Sequence, residues 1–237
     1  MSVLIYRPRL TKNIKRFGRF SKEIKSRLTN KGIIVDVVND AKKSICLQQM
    51  RNHETIIIIG HGDDGVIYHR LHRQMTKKQS LISKYDIVQK NTNVLSAIRG
   101  KKIIAIACRT ARSLGKCVCE KGGCLAYLGF YSKIHFDKRD HQGIDEVSPE
   151  YYHFLLKFYK AVFADVLEMA IENQWTFYKL SIVLEIELQK RIFTAINNED
   201  SIKSPYYKEL VFGQAQIAVL NVSQNIKVYG NDQEQVV

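Results

Sequence analysis

The sequence predicts an α/β fold with an open, mostly parallel sheet flanked by helices and with a helical C-terminal part. Over the first two thirds of the chain, short apolar segments rich in β-branched residues alternate with stretches of helical periodicity. This alternation is typical of β-α-β units, whose strands pair in parallel. After about residue 148, apolar residues recur mainly at helical spacing, which indicates that this part of the chain is mainly helical.

The first three strands are predicted from apolar segments at residues 3–6, 33–38 and 55–59. An amphipathic helix is expected from Thr11 onward, because apolar residues recur at steps of three and four up to Leu28. A short helix is expected to end near residue 52. Residues 55–59 are apolar on both faces, as is typical of a central strand covered on both sides.

The remaining elements continue the alternation of strands and helices. Asp63-Asp64-Gly65 is a turn signal that predicts a small hairpin arm. Beyond it the sequence predicts a helical stretch over residues 81–99, strands over 102–107 and 125–130, and two long helices over 149–172 and 175–198. The final segment, to residue 230, is expected to return to the sheet edge. We therefore predict an α/β core over residues 1–148 and a helical extension of the same domain over 149–237.

Composition and charge limit the classes of function. The chain has no apolar run near the ~20 residues needed to cross a bilayer, and its first residues lack a secretory signal pattern. Five cysteines, an odd number, fit a reducing cytoplasm rather than a disulfide scaffold. Thirty-seven Lys and Arg against 23 Asp and Glu give a net charge of +14. That charge favours an anionic partner, although the basic residues are spread along the chain.

Two predicted strands end in residues capable of nucleophilic catalysis. The strand at 55–59 leads into Gly60-His61-Gly62, and the strand at 102–107 leads into Cys108. The carboxyl ends of parallel strands meet at one edge of a sheet, so both side chains should lie there. An imidazole can take the proton of a thiol and return it to a leaving amine. We expect the amides of Gly62 and Cys108 to form an oxyanion hole, and Cys108 to open a helix whose dipole favours an anion.

These motifs resemble the caspase-like cysteine peptidases. A strand ending in His-Gly, followed about 50 residues later by a strand ending in Ala-Cys, is the signature of that group. Ala107-Cys108-Arg109 matches its centre, whereas Ile106 and Thr110 depart from the caspase pattern and argue against a true caspase. The bacterial CHAT and gingipain-like branches look closer: Phe158-Tyr159 and the segment 228–232 are similar to a CHAT-type helix and terminus. The resemblance implies peptide-bond hydrolysis, with His61 and Cys108 as the catalytic residues.

Candidate substrate-binding residues carry both signs of charge. Asp63, Asp137 and Asp140 would favour a substrate with a basic residue before the cleaved peptide bond, and Arg109 would favour an acidic residue there. The sequence therefore leaves specificity open. The remaining cysteines near Cys108, at positions 117, 119 and 124, lack the paired spacing of a structural zinc site. Packing is the better interpretation, and we expect neither a metal nor another cofactor.

The leading hypothesis is a cytoplasmic cysteine endopeptidase that acts on protein substrates and is regulated by a partner or ligand. Two alternatives remain open. One is an inactive caspase-fold adaptor that acts through its helical second half. The other is a basic α/β protein that binds nucleic acid, although Gly60-His61-Gly62 lacks the spacing of a phosphate-binding loop. A membrane partner is not expected.

Overall fold

The computed structural model describes residues 2–8, 11–39, 42–71, 78–134, 149–197 and 213–237. Its strands form a six-stranded sheet in the order β2-β1-β3-β7-β8-β9 and a three-stranded sheet in the order β4-β5-β6. The strands are β1 (Ser2–Tyr6), β2 (Ile34–Val38), β3 (Thr55–Ile59), β4 (Gly62–Asp63), β5 (Val66–Leu71), β6 (Lys78–Ser83), β7 (Lys102–Ile106), β8 (Ala126–Phe130) and β9 (Ile226–Gly230).

The six-stranded sheet confirms the predicted α/β class. Strands β2, β1, β3, β7 and β8 pair in parallel, and β9 pairs antiparallel to β8 at the edge. The last segment of the chain thus returns to the sheet edge as expected. Strands β3 and β7 lie at the centre, and every residue of both is buried. Two-sided burial explains why their sequences are apolar without alternation.

Helices cover both faces of the sheet. The helices are α1 (Lys12–Phe17), α2 (Phe20–Thr29), α3 (Lys43–Arg51), α4 (Lys84–Val88), α5 (Thr92–Ile98), α6 (Leu114–Glu120), α7 (Pro149–Glu172), α8 (Phe177–Asn197) and α9 (Gln214–Ser223). Helices α1, α2, α7, α8 and α9 contribute to the core on one face, and α3 to α6 contribute to the core on the other. The two long helices were predicted, and α7 and α8 confirm them. Within the described ranges, no helix is long and apolar enough to cross a membrane.

Two predicted helices are divided. The helix expected from Thr11 to Leu28 forms α1 and α2, which Gly18 and Arg19 separate. The second is the stretch expected over residues 81–99. Residues 78–83 belong to β6, so the expected helical stretch over 81–99 is wrong at its start. The rest forms α4 and α5, each with its own N-cap: Ser83 accepts a hydrogen bond from the Asp86 amide, and Asn91 accepts from the amides of Asn93 and Val94. Because a cap satisfies backbone groups at a helix start, two caps eight residues apart specify two short helices.

Candidate active site

The pairing of β3 with β7 places His61 and Cys108 at equivalent positions. Thr55 pairs with Lys102 and Ile59 with Ile106, a constant offset of 47 residues that is also the separation of His61 and Cys108. The pairing continues beyond the strands, because the Gly60 amide donates to the Ile106 carbonyl at 3.2 Å. Adjacent strands lie about 4.8 Å apart. The two residues therefore lie side by side at the carboxyl edge of the sheet.

Both side chains belong to the same face of the sheet. Successive residues of a strand point to opposite faces. Ile57 and Ile59 of β3 lie in the core beneath α1, α2 and α7, as do Ile104 and Ile106 of β7. Two residues further on, Cys108 lies in that same core, and half-buried His61 contacts the residue that caps α1. The register and the alternation thus agree on one shared site.

The two loops that carry these residues are in direct contact at Gly62. A Cβ atom on Gly62 would lie 2.5 Å from Thr110 Cγ2 and 2.9 Å from the Cys108 carbonyl oxygen. Thr110 is fully buried, so it has no space into which to move. The His61 carbonyl accepts a hydrogen bond from the Tyr68 amide at 3.0 Å, which attaches the His61 loop to the hairpin arm. Only glycine allows the approach of the two loops.

Thr11 holds the His61 ring from the other side. Its hydroxyl oxygen lies 3.3 Å from His61 Nε2 and also accepts from the Ile14 amide at 3.2 Å, as the N-cap of α1. The contact with Thr11 therefore restricts the orientation of the His61 ring through Nε2.

Cys108 lies in a turn and does not open a helix, so that expectation is wrong. Residues 108–113 are turn residues, and α6 begins at Leu114. Arg109 adopts a φ of 59°, an uncommon conformation for a residue with a side chain, which bends the chain away from the helical path. The start of α6 instead meets the Asp63-Asp64 turn, since the Leu114 amide donates to the Asp64 carbonyl at 3.0 Å.

The Cys108 thiol is held by the segment that follows β8, residues 131–134, here called the post-β8 segment. The Ile134 amide donates to Cys108 Sγ at 3.3 Å, and the thiol donates to the Ile134 carbonyl at 3.8 Å. The side chain is only 7% exposed. The Arg109 amide donates to the Ser132 carbonyl at 3.0 Å, so the same segment also holds the next residue. The thiol therefore rests against backbone.

Tyr159 of α7 lies near the thiol. Its hydroxyl is buried and, within the part of the chain that the structure describes, has no hydrogen-bond partner. Burial raises the pKa of Tyr159 well above its ordinary value, and the charges of Tyr151 and Cys108 raise it further. The phenol thus stays protonated and keeps an unused donor within the core that also contains Cys108, which is an unusual condition for a buried polar group.

The candidate substrate-binding residues Asp63 and Arg109 pair with each other. Arg109 Nη1 lies 3.6 Å from Asp63 Oδ1 across the two loops. Each charge is thereby partly neutralised, although an exposed ion pair of this kind contributes little to stability. Asp137 and Asp140 lie outside the described residues. The oxyanion hole expected from the Gly62 and Cys108 amides stays a prediction.

The other cysteines pack against the opposite core or at its margin. Burial raises the pKa of Cys117. The Cys124 thiol donates to the Lys101 carbonyl at 2.9 Å, and its pKa is raised well above the ordinary value, first by a hydrogen bond with Cys119 and then by burial. Such thiols are poor thiolate ligands. Among the described residues, no group of three or more His, Cys, Asp or Glu side chains is arranged to hold a metal ion.

The chain matches no protein-family model, and a search of curated proteins finds no match either. The evidence for function therefore comes from the geometry around His61 and Cys108.

Thr11 and Ile134 are site residues that the sequence did not reveal. Thr11 marked the start of a predicted helix, but nothing in that pattern indicated a contact with a histidine 50 residues away. Ile134 acts through its backbone, 26 residues after Cys108, and carries no sequence signal for this role. Tyr159 was noted only for the family resemblance of its helix. Its closeness to Cys108 comes from the packing of α7 on the sheet.

Proposed function

We propose that the chain is a caspase-like cysteine endopeptidase in which His61 and Cys108 form the catalytic dyad. The observation that carries the proposal is the register of β3 and β7, which puts the two residues at matching positions on adjacent strands. The contact of their loops at Gly62 supports it independently. A thiol beside an imidazole at the carboxyl edge of a parallel sheet suits nucleophilic attack on a carbonyl carbon.

In the proposed reaction, His61 takes the proton of the Cys108 thiol, and the thiolate attacks the carbonyl carbon of the scissile peptide bond. The backbone amides of Gly62 and Cys108 stabilise the oxygen that becomes negative. Collapse of this intermediate breaks the carbon–nitrogen bond, and His61 gives its proton to the leaving amine. Water, deprotonated by His61, then attacks the thioester, releases the carboxylate product and restores the thiol.

The structure supports a latent resting state as part of this proposal. The thiol must leave the Ile134 backbone before it can attack a substrate, because both of its hydrogen bonds to Ile134 occupy the sulfur. Exposed Arg112 fastens the post-β8 segment to the Cys108 turn, since its Nε donates to the Tyr131 carbonyl at 2.9 Å. We infer that a regulatory protein or ligand shifts this segment. All five cysteines are free thiols, which fits the proposed cytoplasmic location.

The latent state predicts slow alkylation of Cys108. We expect iodoacetamide to modify the native thiol at least about tenfold more slowly than the urea-unfolded thiol, because burial limits access. Arg112→Ala should accelerate the native reaction about three- to tenfold, the effect of losing one hydrogen bond that holds the segment. Mass spectrometry of the Cys108 peptide over time measures both rates. Lys116→Ala, which changes an exposed side chain on α6, is the control. Equal alkylation rates in the two variants would contradict the proposed latent state.

Thr11 is expected to act as a positioning residue for His61. Thr11→Val keeps the shape of the side chain but removes the hydroxyl that contacts Nε2. We expect kcat to fall about tenfold with little change in KM, because a loosely held base transfers protons less efficiently. The lost cap should also lower the free energy of unfolding by about 1 kcal/mol. Thr11→Ser retains the hydroxyl and should retain kcat. Equal kcat values for the Val and Ser variants would assign Thr11 a capping role alone.

The proposal is tested by activity-based labelling. A library of peptidyl acyloxymethyl ketones, varied at the residue before the electrophile, is incubated with the full chain, and adducts are located by mass spectrometry. We expect selective modification at Cys108 that disappears in His61→Ala, since alkylation by such probes needs an activated thiolate. The peptide preference would also decide between acidic and basic specificity. Adducts that form equally without His61 would refute the dyad.

An inactive adaptor is the second candidate function. Helix α8 exposes an apolar stripe at Tyr178, Ile182, Ile186 and Phe193, whose spacing places them along one side of the helix. Contiguous exposed apolar surface is typical of protein interaction sites. This stripe supports a partner-binding role for the helical half, with or without catalysis. Failure of every probe to label Cys108, combined with binding of a partner through α8, would favour the adaptor.

A further inference from the structure

Two cysteines meet at the amino end of β8, on the edge of the sheet opposite to the proposed dyad. Cys119 lies in the last turn of α6, and Cys124 lies two residues before β8. The chain turns between them, and the Cys124 amide donates to the Val118 carbonyl at 3.2 Å. Because the carbonyl carbon of Val118 is bonded to the nitrogen of Cys119, this hydrogen bond brings the backbones of the two cysteines together.

The side chains of these two cysteines also meet. A Cβ on Gly230, at the end of β9, would lie 3.2 Å from Cys119 Sγ and would clash with the carbonyl oxygen of Leu125, the residue after Cys124. The Cys119 sulfur therefore lies over the start of β8. There a hydrogen bond joins it to the Cys124 thiol. Cysteines whose thiols are already in contact need little backbone movement to form a disulfide.

The two thiols differ in their access to solvent. Cys124 is 6% exposed, and its thiol donates to the Lys101 carbonyl at 2.9 Å and to the Ala126 carbonyl at 3.2 Å. Cys119 is partly exposed. An oxidant that arrives from solvent therefore reaches Cys119 first and finds Cys124 beside it as a sheltered second thiol. Redox-sensing cysteines often combine an accessible thiol with a neighbouring thiol that completes the disulfide.

We propose that Cys119 and Cys124 form a reversible intramolecular disulfide when the chain meets a hydroperoxide. The Cys119 thiolate attacks the terminal oxygen of the peroxide, the O–O bond breaks, and an alcohol or water leaves. The Cys124 thiolate then attacks the sulfur of the resulting sulfenic acid, so that the S–S bond forms, the S–O bond breaks and water leaves. The two thiols together lose two electrons and two protons, which the hydroperoxide accepts.

The bridge should form slowly and be readily reduced. The pKa of Cys124 is raised well above its ordinary value, first by the hydrogen bond with Cys119 and then by burial. Since the thiolate is the nucleophile, attack by Cys124 should be the slower of the two steps. The bridge also removes the proton that Cys124 donates to the Lys101 and Ala126 carbonyls, which favours return to the thiols. A dithiol reductant completes that return by thiol–disulfide exchange.

Peptide mapping after peroxide treatment tests this site. The reduced full chain is treated with hydrogen peroxide, the remaining thiols are blocked with N-ethylmaleimide, and tryptic peptides are identified by mass spectrometry. Trypsin separates the two cysteines, because it cleaves after Lys121. We expect a disulfide between the peptides 117–121 and 122–133 that dithiothreitol removes. The site lies at the opposite edge of the sheet from the proposed dyad, so this result does not depend on peptidase activity.

Variants identify the cysteine that reacts, because the peptide 117–121 contains two. Cys119→Ala and Cys124→Ala should each lower the bridged fraction at least about tenfold. Cys117→Ala is the matched control: Cys117 is a buried thiol on the same helix, and the bridged fraction should change less than about twofold. Dimedone, which labels sulfenic acids, should label Cys119 in Cys124→Ala and should leave Cys124 unlabelled in Cys119→Ala, because Cys119 is the accessible thiol.

Three results would overturn the inference. The first is the absence of a bridge between the two peptides at millimolar peroxide. The second is a bridge of equal yield in Cys119→Ala, which would mean that Cys117 supplies the sulfur. The third is a bridge that forms in the urea-unfolded chain and not in the native chain, which would mean that the fold keeps the thiols apart. Thermal unfolding verifies that each variant retains the fold.

Discussion

Cys108→Ala should lower peptide cleavage by at least about a thousandfold while the protein stays folded, because the thiol supplies the nucleophile. The structural cost should be small: alanine fits the buried site, and the interactions lost include the two hydrogen bonds to Ile134. Cleavage of the best peptide from the labelling library measures the activity, and circular dichroism with thermal unfolding measures the fold. His61→Ala should cause a comparable loss, since neither residue works alone.

The control for this experiment is Cys117→Ala. Cys117 is also a buried thiol, but it belongs to α6 and to the opposite core. Burial raises its pKa, which makes it a poor nucleophile at neutral pH. Cys117→Ala should therefore keep nearly full activity. Retained cleavage by Cys108→Ala would exclude the proposed mechanism whatever the behaviour of the control.

Gly62→Ala should lower cleavage about a hundredfold or more without removing any catalytic group. The new methyl group would lie 2.5 Å from Thr110 Cγ2 and 2.9 Å from the Cys108 carbonyl, so the His61 and Cys108 loops must separate. Displacements near 1 Å are enough for a loss of this size, because proton transfer and attack both depend on alignment. Steady-state kinetics measures the loss, and denaturant unfolding should show a destabilisation of about 1–3 kcal/mol.

Gly65→Ala is the matched control for Gly62→Ala. It lies in the same turn, but its Cβ would meet Lys84 Cβ at 3.6 Å and Ser113 Oγ at 3.8 Å, which are ordinary contacts. Its activity should stay near that of the unaltered protein. Thr110→Ser removes the atom that clashes most closely and should restore part of the activity of Gly62→Ala, a coupling typical of residues in contact. If Gly62→Ala and Gly65→Ala behave alike, the loop contact has no catalytic importance.

The central strands and their reactive ends could be predicted from the sequence. Residues 56–59 and 103–106 are apolar without alternation, because both faces of β3 and β7 are covered. The separation of His61 and Cys108 then coincides with the register offset of the two strands. The sequence showed that both residues closely follow predicted strands. That these strands are neighbours in register followed only from the sheet order.

The prediction from sequence was wrong in two places where the local preference of the residues differs from the structure that they adopt in the folded chain. The stretch 81–99 was predicted to be helical, yet Ile82 and Ser83 pair with β5 because hydrogen bonds to that strand are available in the folded chain. Cys108 was expected to open a helix, but Arg109 takes a positive φ and the chain turns first. In both cases contacts with distant residues outweigh the local preference.

The sequence by itself determined the α/β class, the central strands, the long C-terminal helices and the pair of residues on which the proposal depends. These features follow from hydrophobic periodicity, which local sequence encodes directly. The tertiary structure alone decided three contacts: the hydrogen bond between Thr11 and His61, the hydrogen bond from the Ile134 amide to the Cys108 thiol, and the ion pair of Asp63 with Arg109. Each of these contacts joins residues far apart in the chain, and the thiol contact is made by backbone atoms that every residue possesses, so packing fixes them and side-chain pattern cannot.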